Sequence, residues 1–310
     1  MIERIKQTSG LVITVVLVAG FYVLSLAVAS YATSPLNITT SVTVLSQAPT
    51  VSSVVLNSST PITLTENTTT IVTCSGTVSS AGGYGDVSGV TSSISLFSVS
   101  NTCFAGTSPD ANNCYIESTA ACVTSSGSGT SMHVVCTDYI WFHADSTDAS
   151  SSWSGQGWVC QIRAHTAGGD GSGTSATRTL NSLAAQNVVP LTISYGNLAP
   201  NTNASGPMST TTVSSTGNIA INVLLKGSTM YNGINSLAPN YQHYSTSTLT
   251  NSTTLNADGV TNKLLLLGQG KPSTHPTNQT TAIGWSIDIP NAQTPGTYLG
   301  INTSTVISTF

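Results

Sequence analysis

The chain has 310 residues, a formal net charge of −4 and only 6% charged residues, against roughly 25% in an ordinary soluble domain. Seven Lys and Arg cannot build the basic stripe that nucleic acid requires, and no Gly-rich loop ends in Lys-Ser or Lys-Thr, so nucleic-acid binding is excluded and phosphate chemistry disfavoured. A hydrophobic fraction of 39% beside 96 Ser and Thr describes a chain that folds, with hydroxyls in place of surface charge.

Arg4 and Lys6 precede an uncharged apolar run over residues 11–32, enough to cross the ~30 Å hydrocarbon core as a helix. Positive charge ahead of it predicts a cytoplasmic N-terminus and an exported remainder. Three fates stay open: a retained anchor, favoured by length; a signal peptide cleaved near Ala29 or Ala32; or a pilin-type leader cut after Gly10. If uncleaved, residues 11–32 are the expected membrane contact. Residues 33–45 read as a polar stalk or a first strand.

From residue 46 to about 185, strands recur between turn residues: SSVVL, TTTIVTCSGTV, SSISLFSV, CYIEST, HVVCTDYIWFHA and GWVCQIRAHT. The segment 166–179 reads as a Gly-rich loop or hairpin, and GSGTS at 171–175 as polar low complexity. Residues 186–310 hold no cysteine. There GNIAINVLLKG and AIGWSIDIP alternate cleanly, and KLLLLG fits a buried strand or a short helical turn. PGTYLGINTSTVIST predicts a terminal hairpin turning at Pro295-Gly296. The expected fold is all-β: two antiparallel immunoglobulin-like β-sandwich domains, 46–185 and 186–310, behind an N-terminal hydrophobic helix.

Six cysteines in an exported chain predict disulfides, with 15 connectivities available. The absence of any Cys-x-x-Cys pair argues against zinc. Alternation narrows the choice. Cys74, Cys136 and Cys160 each share a strand face with apolar neighbours: Val72 and Val78, Val134 and Ile140, Trp158 and Ile162. A hairpin centred near Gly129 sets Cys122 opposite Cys136. Cys103 and Cys114 close a short loop, which leaves Cys74 to pair with Cys160 across distant strands.

The first half carries NNCY (112–115), the Cys–Cys hairpin, IWFHADSTDASSS (140–152) and SGQGW (154–158) in that order, and the second half ISYGNLAPN, STGNIAINVLLKG, QHYSTSTLT and WSIDIPNAQTPGTYLG. Taken together these resemble a recurrent type of cell-surface protein from uncultivated small-genome archaea and candidate-radiation bacteria. The resemblance implies a tandem β-sandwich protein displayed outside the cell, and it carries over no active-site residues.

No Gly-x-Ser-x-Gly elbow and no paired carboxylates stand out, so the chain reads as a non-enzyme. His143 and Asp145, two apart in an extended segment, would share a strand face about 6.8 Å apart. Asp86, Asp145 and Asp148 lie in loops of the kind that hold calcium between sandwich strands, the one cofactor this chain invites. Trp158 and Trp285 alternate with aliphatic residues as core positions do, whereas Trp141 shares a face with Tyr139 and His143 and is the candidate for a carbohydrate-binding face. Glycosylation sequons fall at Asn37, Asn57, Asn67, Asn203, Asn251, Asn278 and Asn302, about as many as the Asn, Ser and Thr content yields by chance. The expected function is a structural or interaction protein of the envelope (surface-layer, filament or adhesin subunit), self-associating through sheet edges, the apolar helix or a donated strand at 36–45. The alternative is a carbohydrate-binding surface module.

Overall fold

Period-two alternation of apolar and hydroxyl side chains makes strands of nearly every segment where it occurs. The computed structural model describes residues 39–105, 110–117, 121–125, 127–203, 206–246, 253–273 and 277–309. The apolar run 11–32, Asn37 and Asn251 lie outside them. Among the described residues no helix is long and apolar enough to cross a membrane. Residues 39–45 form no strand, and their Val42, Val44 and Leu45 side chains are exposed.

The first half contributes β1 (Thr50–Leu56), β2 (Thr69–Ser79), β3 (Gly89–Leu96), β4 (Cys114–Glu117), β5 (Cys122–Thr124), β6 (Ser131–Trp141), β7 (Trp158–Thr166) and β8 (Gly169–Thr174). They form two four-stranded antiparallel sheets, ordered β1-β2-β6-β5 and β4-β3-β7-β8. Leu56, Val72, Val134 and Ile140 from one sheet meet Val90, Ile94, Trp158 and Ile162 from the other in a single core. The β2–β6 ladder runs unbroken from Thr69 opposite Trp141 to Ser79 opposite Ser131, a span of about 34 Å.

The second half adds β9 (Gln186–Val189), β10 (Ser209–Ser215), β11 (Ile221–Gly227), β12 (Met230–Asn232), β13 (Asn235–Leu237), β14 (Gln242–Ser245), β15 (Thr253–Thr254), β16 (Lys263–Gln269), β17 (Thr280–Ile287) and β18 (Asn302–Ser308). A five-stranded sheet, β15-β14-β17-β10-β9, and a three-stranded sheet, β16-β11-β18, enclose a second core of Val213, Ile221, Val223, Leu225, Tyr244, Ile283 and Trp285. The KLLLLG segment is strand β16, with Leu267 buried and Leu264 and Leu266 exposed.

The expected terminal hairpin does not form. β17 pairs with β10 and β14, whereas β18 pairs with β11 in the other sheet. The stretch between Ile287 and Asn302 is far longer than a two- to five-residue hairpin loop and crosses between the sheets.

The Gly-rich segment is likewise more than low complexity. Gly169, Gly171 and Gly173 fall on one face of β8, and the backbone from Ser46 to Val51 passes directly over them. A Cβ at Gly171 would land on the carbonyl oxygen of Pro49, and one at Gly173 would sit 2.8 Å from that of Val51. Only glycine permits this approach of two backbones.

The cores part between Leu183, which packs on the first, and Ala184, which packs on the second. Residues Ser46–Phe310 nonetheless form one compact unit. Polar contacts join the halves. Asn218 donates through Nδ2 to the carbonyls of Ala144 (3.0 Å) and Asn181 (3.2 Å) and accepts the Leu183 N–H at 2.6 Å. The Asn67 N–H donates to the Thr216 carbonyl at 3.0 Å.

Replacing Gly171 with alanine should therefore cost about 1–3 kcal/mol of stability through overpacking, measured by denaturant unfolding. Ser172→Ala, on the exposed face of the same strand, should stay within about 0.5 kcal/mol.

Candidate functional site

Alternation brings three cysteines into one row. Cys136 of β6 stands opposite Cys74 of β2 on one side and Cys122 of β5 on the other. The disulfides are Cys74–Cys160, Cys103–Cys114 and Cys122–Cys136, and among the described residues no cysteine is free. Cys74–Cys160 ties the two sheets together, Cys122–Cys136 staples a hairpin, and Cys103–Cys114 fastens the short helix Ser100–Phe104 to β4. Three disulfides point to an oxidising, extracellular environment. On the chain-entropy relation, closing the loop of separation 86 contributes about 4.6 kcal/mol, and the loop of separation 11 about 2.8. Cys74→Ala/Cys160→Ala should therefore lower the unfolding free energy by more than Cys103→Ala/Cys114→Ala, as read from paired denaturant titrations.

Where β6 meets the β4 edge, an open groove of about 430 Å³ is lined by Thr69, Ala111, Cys114, Tyr115, Ile116, Tyr139 and Trp141. Tyr139 and Trp141 lie two apart on the outer face of β6; Tyr139 is 50% exposed and Trp141 half-buried. The Tyr115 hydroxyl anchors the groove floor, donating to the Ala111 carbonyl and accepting the Trp141 N–H at 3.1 Å. Burial, reinforced by the negative charges of Asp110 and Asp145, raises its pKa and outweighs the Trp141 bond, so Tyr115 stays a neutral phenol.

The strand ends at Trp141, and a turn follows, so His143 and Asp145 do not share a strand face. His143 is wholly buried, stacked on Trp141 with centroids 6.4 Å apart and set edge-on to Phe142 at 5.2 Å. Trp158 and Trp285 are core residues whose indole N–H groups donate to the Asp145 carbonyl and to Thr211 Oγ1.

The three calcium candidates are not brought together. Asp86, beside the Ser79 end of the long ladder, accepts from Ser46 Oγ (2.6 Å) and Ser80 Oγ (3.0 Å). Asp145 and Asp148 follow the opposite end, some 34 Å along the strands. Asp145 pairs with Lys271 at 2.9 Å, and Asp148 accepts the N–H and hydroxyl of Ser182. Among the described residues no three His, Cys, Asp or Glu side chains gather as a metal group.

Sequence reasoning passed over a fourth carboxylate, Asp138. It occupies the inward position between Cys136 and Ile140, is fully buried, and accepts from Ser92 Oγ at 3.2 Å. Its place in the alternation was the available signal. Also passed over was the cluster of Asp110, Asn112 and Lys271 beside Asp145. Partial burial raises the Asp110 pKa, but bonds from the Asn112 N–H and side chain, with the Lys271 charge, outweigh it and leave it below the usual carboxylate value. On the outer face of β7 and β8, Asp170 bridges Arg163 (2.8 Å) and His165 (2.5 Å).

The sequons sort by what their amides do. Asn57 Nδ2 donates within its own turn to Thr60 and Pro61, Asn302 Nδ2 to Gln242 Oε1 at 2.7 Å, and Asn278 Nδ2 to Asn67 Oδ1 at 2.9 Å. Asn67 and Asn203 are exposed. In comparisons with known proteins, no protein family and no curated protein matches the chain.

Proposed function

We propose that the chain is an extracellular structural or interaction protein of the cell envelope, a surface-layer, filament or adhesin subunit presenting two immunoglobulin-like β-sandwich regions. The observation that carries this reading is a pair of uncovered leucines on the outer face of a sheet, in a disulfide-braced, charge-poor body. Leu264 is 53% and Leu266 66% exposed on β16, with half-buried Leu224 of β11 paired to Leu264, on a face shared with Asn222, Thr303, Thr305 and half-buried Ile307. Neighbouring exposed leucines gain by being withdrawn from water against another molecule. A second copy is the natural occupant for an envelope subunit, since a surface made of hydroxyls rather than charge offers little like-charge repulsion between copies. The resemblance to tandem β-sandwich surface proteins supports the same reading, as does the apolar run 11–32, which would hold the chain at the membrane if uncleaved. Sedimentation and electron microscopy of the exported protein should show assemblies that Leu264→Asp/Leu266→Asp disperses; wild-type protein that stays monomeric at high concentration would overturn the reading.

A second reading, a carbohydrate-binding surface module, is supported by the groove at Tyr139 and Trp141. Two aromatic side chains about 7 Å apart on one strand face present a platform the size of a pyranose ring, with hydroxyls of Thr69 and Tyr139 at the groove. A glycan array should register binding that Tyr139→Ala abolishes without loss of stability, because Tyr139 lies outside the core. An array with no signal for the wild type removes this reading.

A further inference from the structure

At the junction of the two halves, a primary amine, a carboxamide and two carboxylates converge. Lys271 follows β16, and its Nζ lies 2.6 Å from Oδ1 of Asn112 and 2.9 Å from Oδ1 of Asp145. Nδ2 of Asn112 donates to Oδ1 of Asp110 at 2.8 Å and to the Ser273 carbonyl at 2.9 Å. The backbone fixes these groups. The Asp145 N–H donates to the Asn112 carbonyl (2.8 Å), and the N–H groups of Asn113 and Cys114 both donate to the Asp110 carbonyl. Cys114 is itself tethered to Cys103. Asp145 and Lys271 are shielded, with side chains 10% and 25% exposed, while Asp110 lies at the surface.

We propose that Lys271 and Asn112 become joined by an intramolecular isopeptide bond, with Asp145 as the proton acceptor. The Lys271 ammonium passes a proton to the Asp145 carboxylate, and the freed Nζ lone pair forms a bond to Cγ of Asn112. The carbonyl electrons move onto Oδ1. As they return, the Cγ–Nδ2 bond breaks, and Nδ2 departs with the two protons that Nζ has lost, leaving as ammonium. Asp145 is restored as a carboxylate, no oxidant or reductant takes part, and Nζ becomes an ordinary secondary amide.

Each requirement of the reaction has a residue in place. The nucleophile is held against the carboxamide, so the step is intramolecular and escapes the entropy cost of encounter. The base is within the 2.6–3.2 Å reach that proton transfer needs. Asp110 is bonded to the departing nitrogen and orients the amide so that Oδ1, not Nδ2, faces the lysine. The product would link a loop of the first half to a loop of the second, at a place where the three disulfides, all within residues 74–160, provide no covalent tie.

The test is mass spectrometry of the full chain exported into an oxidising compartment. Peptide mapping of wild-type protein should yield a branched peptide joining residues 112 and 271, lighter than its two parts by one ammonia. Lys271→Arg, which keeps a cation beside Asp145, and Asn112→Ala should each abolish the branched peptide. Asp145→Asn should slow its formation about a hundredfold, with the three disulfides mapped in the same digest as the check on folding. Unlinked peptides 112 and 271 in folded wild-type protein would overturn the proposal. So would a branch joining 145 and 271 with loss of water, which would make Asp145 the acceptor.

Discussion

The Cys74–Cys160 disulfide is the constraint around which the first half is organised. It joins the centres of two facing sheets, and the residues packed about it, from Val72 and Val134 to Ile94 and Ile162, are almost wholly withdrawn from water. A chain with so few charges has little recourse to ion-pair networks, and its hydroxyl surface adds solubility more than stability. Covalent closure of a long loop supplies what the surface does not, by removing conformations from the unfolded chain. The row of Cys122, Cys136 and Cys74 then carries the brace sideways from the hairpin edge to the cross-sheet link.

Close approach of backbones is a second constraint on the fold. The glycines of β8 let the segment from Ser46 to Val51 lie against the sheet at distances no side chain would allow, which closes that edge of the first sandwich. Gly217 does the same at the junction, where a Cβ would strike the Leu183 carbonyl. These contacts bring backbone oxygens close to Cα atoms, so the local glycine content follows from geometry and not from a need for flexibility.

The joint between halves is polar where the two cores are apolar. Asn218 alone satisfies three backbone groups around the linker, and Lys271 reaches across to Asn112 and Asp145. Hydrogen bonds fix orientation more sharply than apolar contact does, because they tolerate little change in distance or angle. On the proposed reading as a surface subunit, such a joint holds one geometry, and the proposed amide at Lys271 would make it permanent.

By itself the sequence determined the all-β character, the strands whose alternation is clean, such as β2, β6, β7, β11 and β17, and the cysteine pairs, because these follow from local alternation and short spacings. The Gly-rich β8 and the short polar strands of the second half carry no such pattern. Cys122 and Cys136 flank a turn, Cys103 and Cys114 a short loop, and the remaining pair follows once those are taken. Tertiary structure alone decided that β18 joins β11 rather than β17, and that Asp86 lies at the far end of a ladder from Asp145. It also decided that Asn112 and Lys271, 159 residues apart, share one hydrogen bond. Alternation tells which way a side chain points along its own strand, but which strand lies beside it is set by long-range packing of two cores, and no local pattern encodes that.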